Sequence, residues 1–320
     1  MLAVPLPVEL SFCVVNTAQR EFLARCLDAI AVERAALDAA GVTCEVLVLD
    51  NCSGDGSVGV ARRHPAVDEL IALDERRGKG ENDTALLRRA RGEHCLLLNE
   101  DSELRPGASL ALLAALRDHP DAACAGARLL DPAGVAQPSA WRFPTVTTAL
   151  VGAAFLHKRF TVQSRGEAVR TVDWAQSAAL LVRRAAAEEV DFLDPAFFVY
   201  SDEVDFCKRL ADAGWSTLYV PGAEAVHHEQ LSTGSVPRRR IVELSRNRDR
   251  YMRKHHSLPA AWVVRVLVAW TYALRSLAAL VLPGHEPRRY WRHVVATLRP
   301  RRGEGLREAA FEHNQGGRRL

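Results

Sequence analysis

Short apolar runs alternate with amphipathic stretches over the first 130 residues, and each run ends in a polar or glycine-rich turn. Residues 8–15 predict a strand that runs into Asn16-Thr17. Residues 21–40 place Phe22, Leu23, Leu27, Ile30, Val32 and Leu37 at helical spacing, and Gly41 stops that helix. A second strand over 45–49 closes at Asp50-Asn51-Cys52-Ser53-Gly54-Asp55-Gly56-Ser57. A third covers 70–73. The loop 74–80 then enters a helix over 82–90, and the leucine run 96–98 makes a fourth strand ending at Asn99. A helix over 107–119 and a strand over 122–130 complete the series. Strands alternating with helices predict a doubly wound α/β fold with a mostly parallel, Rossmann-like sheet and right-handed crossovers. The polar strand ends then emerge on one edge, where Asn16, Asp50, Asn51, Gly78 and Asp101 converge on a crevice.

After residue 130 the pattern is less regular. Prolines interrupt 131–170, which reads as a loop or lid over the site, with an apolar run at 150–156 that faces a membrane or a partner. Residues 172–182 predict one strand and 184–190 a short helix. The aromatic run 197–200 leads into Ser201-Asp202-Glu203-Val204-Asp205 and a helix ending near Gly214. A strand over 215–220 precedes Val226-His227-His228. Adjacent histidines on an extended segment point to opposite sides, so at most one of them reaches the crevice.

Composition narrows the picture. With 320 residues, 48% of them hydrophobic, the chain can bury a substantial core. The formal net charge is only +3, but the stretch from Arg238 onward is rich in arginine and poor in acids. That asymmetry points to an anionic surface or to phosphates, and no nucleic-acid-binding signature accompanies it. Seven cysteines, an odd number with no CxxC pair, read as core residues in a reducing cytoplasm. Residues 1–7 have neither a basic region nor a long apolar stretch, so no secretory signal is expected.

The candidate chemistry lies in three places. The leucines before Asn99-Glu100-Asp101-Ser102-Glu103 end at the sheet edge, where carboxylates can hold a divalent cation and the cation a diphosphate. The same residues also suit a plain strand-to-helix turn before Pro106-Gly107. Arg76-Arg77-Gly78-Lys79-Gly80 can cradle phosphate at a helix N-terminus, or serve as a solvated basic turn. Three carboxylates open the helix at Asp202. Capping accounts for one of them, and another could act as a general base.

Taken in order, these motifs resemble the family 2 glycosyltransferases of GT-A fold, particularly the rhamnosyltransferase-like branch, over about residues 9–256. The resemblance rests on Asn16-Thr17, the 50–57 turn, and Leu98 to Leu104 as a form of the family's DxD motif. Phe197 to Asp205, Val226-His227-His228, and the segment from Ser245-Arg246-Asn247-Arg248 to Lys254-His255-His256 complete it. It implies that Thr17, Asp50 and Asn51 contact the nucleoside, and that residues 78–82, with Gly78, Lys79 and Asn82, line the ribose and diphosphate. Asn16, Asn99 and Glu100 complete the donor side, and Asp101 binds Mg²⁺ or Mn²⁺ with His227 or His228 as a second ligand. Glu203 is implied as the base that deprotonates the acceptor hydroxyl, with Asp202 the alternative because the acidic pair is swapped. Trp174, Ser177 and Asp205 are acceptor-side candidates.

The implied activity is inverting, metal-dependent transfer from a nucleotide diphosphate donor, dTDP-rhamnose or a UDP-sugar, to a glycan or lipid-linked acceptor in cell-envelope or polysaccharide synthesis. A nucleotidyltransferase lacks its Gly-rich first loop here. A non-catalytic nucleotide-sugar-binding scaffold draws weight from Asn99 and the swapped pair. Glu81 and Asp83 depart from the family's small or neutral residues beside the diphosphate, and Ser177 stands where glycine is frequent.

The chain divides by this reading into a catalytic domain, 1–235, and an arginine-rich helical extension, 236–320. Residues 258–282 are apolar but broken by Arg265 and Arg275, and Arg288, Arg289, Tyr290, Trp291 and Arg292 follow. That pattern suits a helix lying in an anionic membrane interface, which places the protein peripherally at the cytoplasmic face of the plasma membrane. An oligomerisation helix, as in a homo-oligomer, and a membrane span are the alternatives. Residues 314–320 read as a disordered tail.

Overall fold

A computed structural model describes residues 7–228 and 237–317. Its first half follows the expected alternation: β1 (Leu10–Asn16), α1 (Arg20–Ala39), β2 (Cys44–Asp50), α2 (Ser57–Arg63), β3 (Glu69–Ala72), α3 (Lys79–Arg89) and β4 (His94–Asn99). Then come β5 (Ser102–Leu104), α4 (Ala108–Asp118), β6 (Ala122–Leu130), β7 (Ala140–Trp141), α5 (Val146–Ala153), α6 (His157–Phe160), β8 (Arg170–Val172) and β9 (Trp174–Ala175). The remainder is β10 (Ala179–Arg183), α7 (Arg184–Glu189), α8 (Asp202–Asp212), β11 (Ser216–His227), α9 (Pro237–His255), α10 (Leu258–Ala278), α11 (Pro287–Leu298) and α12 (Leu306–Gly317).

The main sheet runs β3-β2-β1-β4-β10-β6-β11-β5, with β8 added to β11. Strands β1 to β4 are mutually parallel where they pair, and β11 is parallel to β6. β10 lies antiparallel between β4 and β6, so the sheet is mixed. Period-two alternation sorts the core into two layers. Leu10, Phe12 and Val14 face α1 and α4, whereas Cys13 and Val15 face α3 and the residues around α7 and α8. A short-loop, doubly wound arrangement of this kind leaves the strand ends of β1, β2 and β4 together on one edge.

Several expectations need correction. Residues 172–182 are not one strand but β8, β9 and the start of β10. Asp173 interrupts them because its carboxylate accepts from Phe143 N (2.8 Å) and Gln163 Nε2 (3.1 Å), which turns the chain aside. Val32 is 55% exposed and lies off the buried face of α1, which Leu23, Cys26, Leu27, Ile30 and Leu37 form. The segment 131–170 is not a lid over the strand-end crevice; its helix α5 packs against α10. Asn314 to Gly317 belong to α12, not to a disordered tail; residues 318–320 lie outside the described residues.

The expected domain boundary at 235/236 also lies outside the described residues. Beyond it, α9 shares a core with the α8 region: Tyr251 and Met252 pack with Phe197 and Val204. Asn247 Nδ2 donates to Val199 O (2.8 Å). Asp205, fully buried on α8, accepts from His255 Nε2 (2.7 Å), Lys254 Nζ and Arg209 Nε. Burial works to raise the Asp205 carboxyl, but these three partners outweigh it and hold it below the usual carboxylate range.

Candidate active site

At the sheet edge the loops after β1 and β2 are tied together before any ligand is considered. Asn16 is buried, and its Nδ2 donates to Asp50 Oδ1 (2.7 Å) and Ser53 Oγ (3.0 Å). Asp50 Oδ2 accepts from Ser53 N (3.0 Å). Asn16 and Asp50 therefore brace the turn, and neither lines the cavity beside them. Thr17 and Asn51 do line it. Asn51 bonds Thr17 Oγ1 (3.2 Å) and makes reciprocal bonds to the Arg77 backbone, donating to its O (3.1 Å) and accepting from its N (2.8 Å). This fixes the loop leading into α3.

The cavity measures about 400 Å³, within the usual range for a small-ligand site. Thr17, Asn51, Lys79, Asn82, Asn99, Glu100, Asp101 and His227 all reach it. Gly78 sits at its edge as the residue before α3; a Cβ there would come 2.8 Å from Phe198 O, so only glycine permits the close approach. Lys79 is held inward: its Nζ bonds Asp83 (2.5 Å) and Ser177 Oγ (3.1 Å). Burial alone would lower this ammonium, but the Asp83 and Asp202 charges raise it above its ordinary value. Asp83 is thus the buried partner of Lys79, and Glu81 turns out to Arg77. Neither of the two extra acids lines the cavity.

β5 decides between the two histidines. It pairs antiparallel with β11, setting Ser102 opposite His227. His227 Nε2 then lies 3.3 Å from Asp101 Oδ1, and its Nδ1 is buried without a hydrogen-bond partner. His228 points the other way, to Glu103 (2.6 Å) and against the Phe22 ring. Glu100 bonds Thr17 N (3.2 Å), and burial with the neighbouring Asp101 charge pushes its carboxyl up to about 7. Among the described residues no three side chains cluster as a complete metal cage. Asp101 and His227, one carboxylate and one imidazole at the cavity wall, are the two side chains that would hold a divalent cation there.

The acidic helix start is close but does not line this cavity. Asp202 is buried at the first turn of α8, and neither of its carboxylate oxygens has a hydrogen-bond partner. It packs under α3, where a Cβ on Gly80 would stand 3.4 Å from its own. Burial, then the adjacent Asp202 charge, raise the Glu203 carboxyl well above its ordinary value. The chain reaches α8 through consecutive left-handed residues, Tyr200 (φ 67°) and Ser201 (φ 62°). Such conformations are costly for non-glycine residues and cluster at functional sites. Phe198, Val199 and Tyr200 form the cavity wall next to them.

Of the acceptor-side candidates, Ser177 is buried on Lys79, Asp205 is consumed by its cations, and Trp174 opens into a different cavity. The sequence reading missed the wall supplied by the C-terminal helices: Arg240, Leu306, Ala309 and Ala310. α12 is fastened there by Asn314, whose Oδ1 accepts from Arg76 N (2.7 Å) and whose Nδ2 donates to Arg76 O (3.0 Å). Arg307 bonds Ala196 O (2.7 Å) and lies over the Phe198 ring. The helical spacing of Leu306, Ala309 and Ala310 was the available signal.

A profile of the family described as "Glycosyltransferase like family 2" matches residues 7–253. The chain belongs to this glycosyltransferase family. The glycosyltransferase is 31% identical over 255 residues to an N-acetylglucosaminyl-diphospho-decaprenol L-rhamnosyltransferase of Mycobacterium tuberculosis, covering 72% of this chain and 81% of the relative. A shorter stretch of 57 residues is 37% identical to the rhamnosyltransferase WbbL of Escherichia coli, covering 18% of this chain and 22% of that one. Among solved structures it is similar to the mannosyltransferase PcManGT of Pyrobaculum calidifontis in complex with GDP-Man and Mn²⁺. The TM-score is 0.58 at 15% identity, with 96% of this chain and 91% of that one covered. The S. aureus TarS fragment 1–349 gives a TM-score of 0.53 at 12% identity, covering 92% and 81%. These likenesses identify the fold of the glycosyltransferase as GT-A.

Proposed function

We propose that the glycosyltransferase moves rhamnose, with inversion, from dTDP-rhamnose to a lipid-diphosphate-linked glycan in envelope polysaccharide synthesis. The observation that carries the reading is the meeting of Asp101 and His227, 3.3 Å apart, in one cavity with Thr17 and Asn51. Thr17 and Asn51 hold the nucleoside end. Asp101 and His227 hold a divalent cation, Mn²⁺ or Mg²⁺. That cation, when bound, neutralises charge on the leaving diphosphate. The 31% identical relative, named for rhamnosyl transfer to a lipid-linked acceptor, supports the choice of donor and acceptor.

Glu203 takes the proton of the acceptor hydroxyl. The freed oxygen bonds to the anomeric carbon on the face opposite the diphosphate, the bond from that carbon to the diphosphate oxygen breaks, and the centre inverts. Burial and the Asp202 charge raise the Glu203 affinity for protons, which makes its carboxylate a stronger base than an ordinary one. Lys79, tied to Asp83 and Ser177 beside the cavity, adds positive charge near the departing diphosphate.

The location we propose is peripheral, at the inner face of the plasma membrane. Among the described residues α10 is the one helix long and apolar enough to cross a bilayer, with a mean hydropathy of 1.2. Packing favours the surface: α10 contacts α5, α9 and α11 and exposes Trp262, Val263, Val266 and Trp270. Aromatic and aliphatic side chains near arginines suit the headgroup boundary.

The decisive experiment incubates the full chain with dTDP-rhamnose or a UDP-sugar panel, Mn²⁺ or Mg²⁺, and N-acetylglucosaminyl-diphospho-prenol, with products read by mass spectrometry. Metal-dependent addition of one deoxyhexose is the expected result. Transfer of a different sugar would overturn the donor assignment, and silence with every donor would overturn the reading.

A further inference from the structure

A second cavity, of about 410 Å³, opens between α5, α6 and α10. Arg142, Arg248 and Arg275 line it, together with Trp141, Trp174 and Tyr272. The two tryptophan rings stack 4.6 Å apart at 24°. Trp174 Nε1 donates to Arg142 O (3.1 Å), which anchors the pair.

The three arginines differ from their neighbours. On α9, Arg246 pairs with Glu308 and Arg253 with Asp249; on α10, Arg265 pairs with Asp249. Among the described residues, none of Arg142, Arg248 and Arg275 is ion-paired with a carboxylate. Like charges gathered in a partly buried space repel, and this cavity supplies no counter-charge of its own. Two histidines register the field. His157 is lowered by burial, Arg275 and Lys158. His293, stacked on Tyr272, is pushed down to about 4 by burial and by Arg248, Arg289 and Arg275. Guanidinium forks in a positive pocket match phosphate oxygens.

Two further features restrict which anion fits. At the cavity, the half-exposed ring of Phe155 lies 5.8 Å from the Arg275 guanidinium, and Leu156 beside it is also exposed. An apolar rim of this kind beside a cationic pocket fits an amphiphile better than a free ion. The second feature is the path inward. Trp174 lines this cavity, and Gln176 lines the donor cavity. Two residues of extended chain span about 7 Å, so a sugar on the anion could reach from one cavity to the other.

We propose that this cavity binds the diphosphate of a prenyl-diphosphate-linked acceptor, with the tryptophan pair beside its first sugar and the prenyl chain leaving past Phe155 and Leu156. The assignment rests on the reading of the acceptor as lipid-linked and adds where that lipid is held. Inorganic pyrophosphate shares the headgroup chemistry and lacks the chain.

The test is equilibrium binding to the full chain of farnesyl diphosphate, farnesol and inorganic pyrophosphate, in the wild type and in the Arg248→Gln/Arg275→Gln double variant. Farnesyl diphosphate should bind the wild type at least about tenfold more tightly than either other probe, and the double variant should lose about tenfold or more. Secondary structure and the thermal midpoint of the variant should match the wild type. Should the double variant fail to fold, Arg142→Gln, at an exposed position, should still weaken farnesyl diphosphate about threefold. Unchanged affinity in the variants overturns the proposal. So does displacement of farnesyl diphosphate by a mixture of dTDP and UDP, which would place it in the donor cavity, and so does pyrophosphate binding as tightly as farnesyl diphosphate. Binding is read without turnover. A protein that holds farnesyl diphosphate through these arginines but transfers no sugar would therefore refute the proposed function and leave the lipid site standing.

Discussion

The two cavities are built on opposite principles. The first takes acids, amides and one histidine from the ends of strands, each braced by neighbours: Asn51 by Arg77, Glu100 by Thr17, Lys79 by Asp83. The second takes its arginines from helices and a loop and its tryptophans from the short strands β7 and β9, and its arginines have no acidic partners among the described residues. A braced site holds reacting groups in fixed geometry, which is what rate acceleration needs. An uncompensated positive site gains from binding an anion, which is what affinity needs. The comparison makes a claim that kinetics can break. Substitutions around the first cavity should act on kcat or donor KM, and substitutions around the second should act on acceptor KM alone.

Glu203→Gln carries the largest expected effect. Loss of a general base lowers kcat by about 10² to 10⁴, while donor-nucleotide binding should persist. The raised Glu203 carboxyl also sets a pH dependence. Transfer should climb with pH above the ordinary carboxylate range as the group ionises. Removing the neighbouring charge with Asp202→Asn should move that limb toward acid. For stability the sign is opposite to that of a salt-bridged carboxylate. A folded-state value above the unfolded one means a contribution fully present below about pH 4.3 and lost as pH rises through the folded value. Glu203→Gln should therefore unfold at a higher temperature than the wild type at alkaline pH even as it loses activity. An active Glu203→Gln enzyme beside an inactive Asp202→Asn one would reverse the assignment of the base.

The next effect separates the adjacent histidines. Asp101→Asn and His227→Ala should each lower kcat/KM by about 10² or more, several kcal/mol of leaving-group stabilisation being at stake. Higher Mn²⁺ should partly rescue His227→Ala. His228→Ala should cost far less, because His228 serves Glu103 and Phe22 outside the cavity. Equal losses at both histidines would mean that the register between β5 and β11 does not decide metal binding. With one nitrogen in the ligand set, Mn²⁺ should support turnover better than Mg²⁺, which prefers oxygen throughout.

Why the first cavity was legible in the sequence and the second was not follows from the same contrast. Strand-end residues are fixed by local pattern: an apolar run of known length ends, and the polar residues after it must lie at the sheet edge. Asn51 and Asp101 follow strand ends and line the cavity, as do Thr17, Asn99 and Glu100, which the family resemblance puts on the donor side. Asn16 and Asp50 sit on the same edge but spend their polar atoms on each other, a difference that spacing does not reveal. Period two says that His227 and His228 diverge. Only the pairing of β5 with β11, which depends on the sheet order, says which one faces Asp101. Arg142, Arg248 and Arg275 come from segments more than 25 positions apart in sequence, and tertiary packing of α5, α9 and α10 brings them together. Asp173 shows the limit within a single segment, since its bonds to Phe143 and Gln163 divide an apolar run that reads as one strand.

The smallest effect tests a wall of the first cavity that comes from the helical side of the molecule. Asn314 on α12 substitutes for a strand partner: its side-chain amide satisfies both the N–H and the C=O of Arg76, at 2.7 and 3.0 Å. Arg76 and Arg77 line the donor cavity, and Arg77 is also gripped by Asn51. Removing the amide with Asn314→Ala releases one side of that loop. Each neutral hydrogen bond contributes about 1 kcal/mol, and water can replace both at this partly exposed position, so donor KM should rise about threefold to fivefold. The chemical step should be untouched, because Asp101 follows β4, His227 ends β11 and Glu203 lies in the first turn of α8, whereas the Asn314 amide bonds the Arg76 backbone. Acceptor KM should be untouched as well, because α12 lines the donor cavity and not the arginine cavity. An Asn314→Ala enzyme with wild-type donor KM would make α12 a bystander at the donor site. A change in acceptor KM would instead couple the two cavities through α9, which carries both Arg240 at the first and Arg248 at the second.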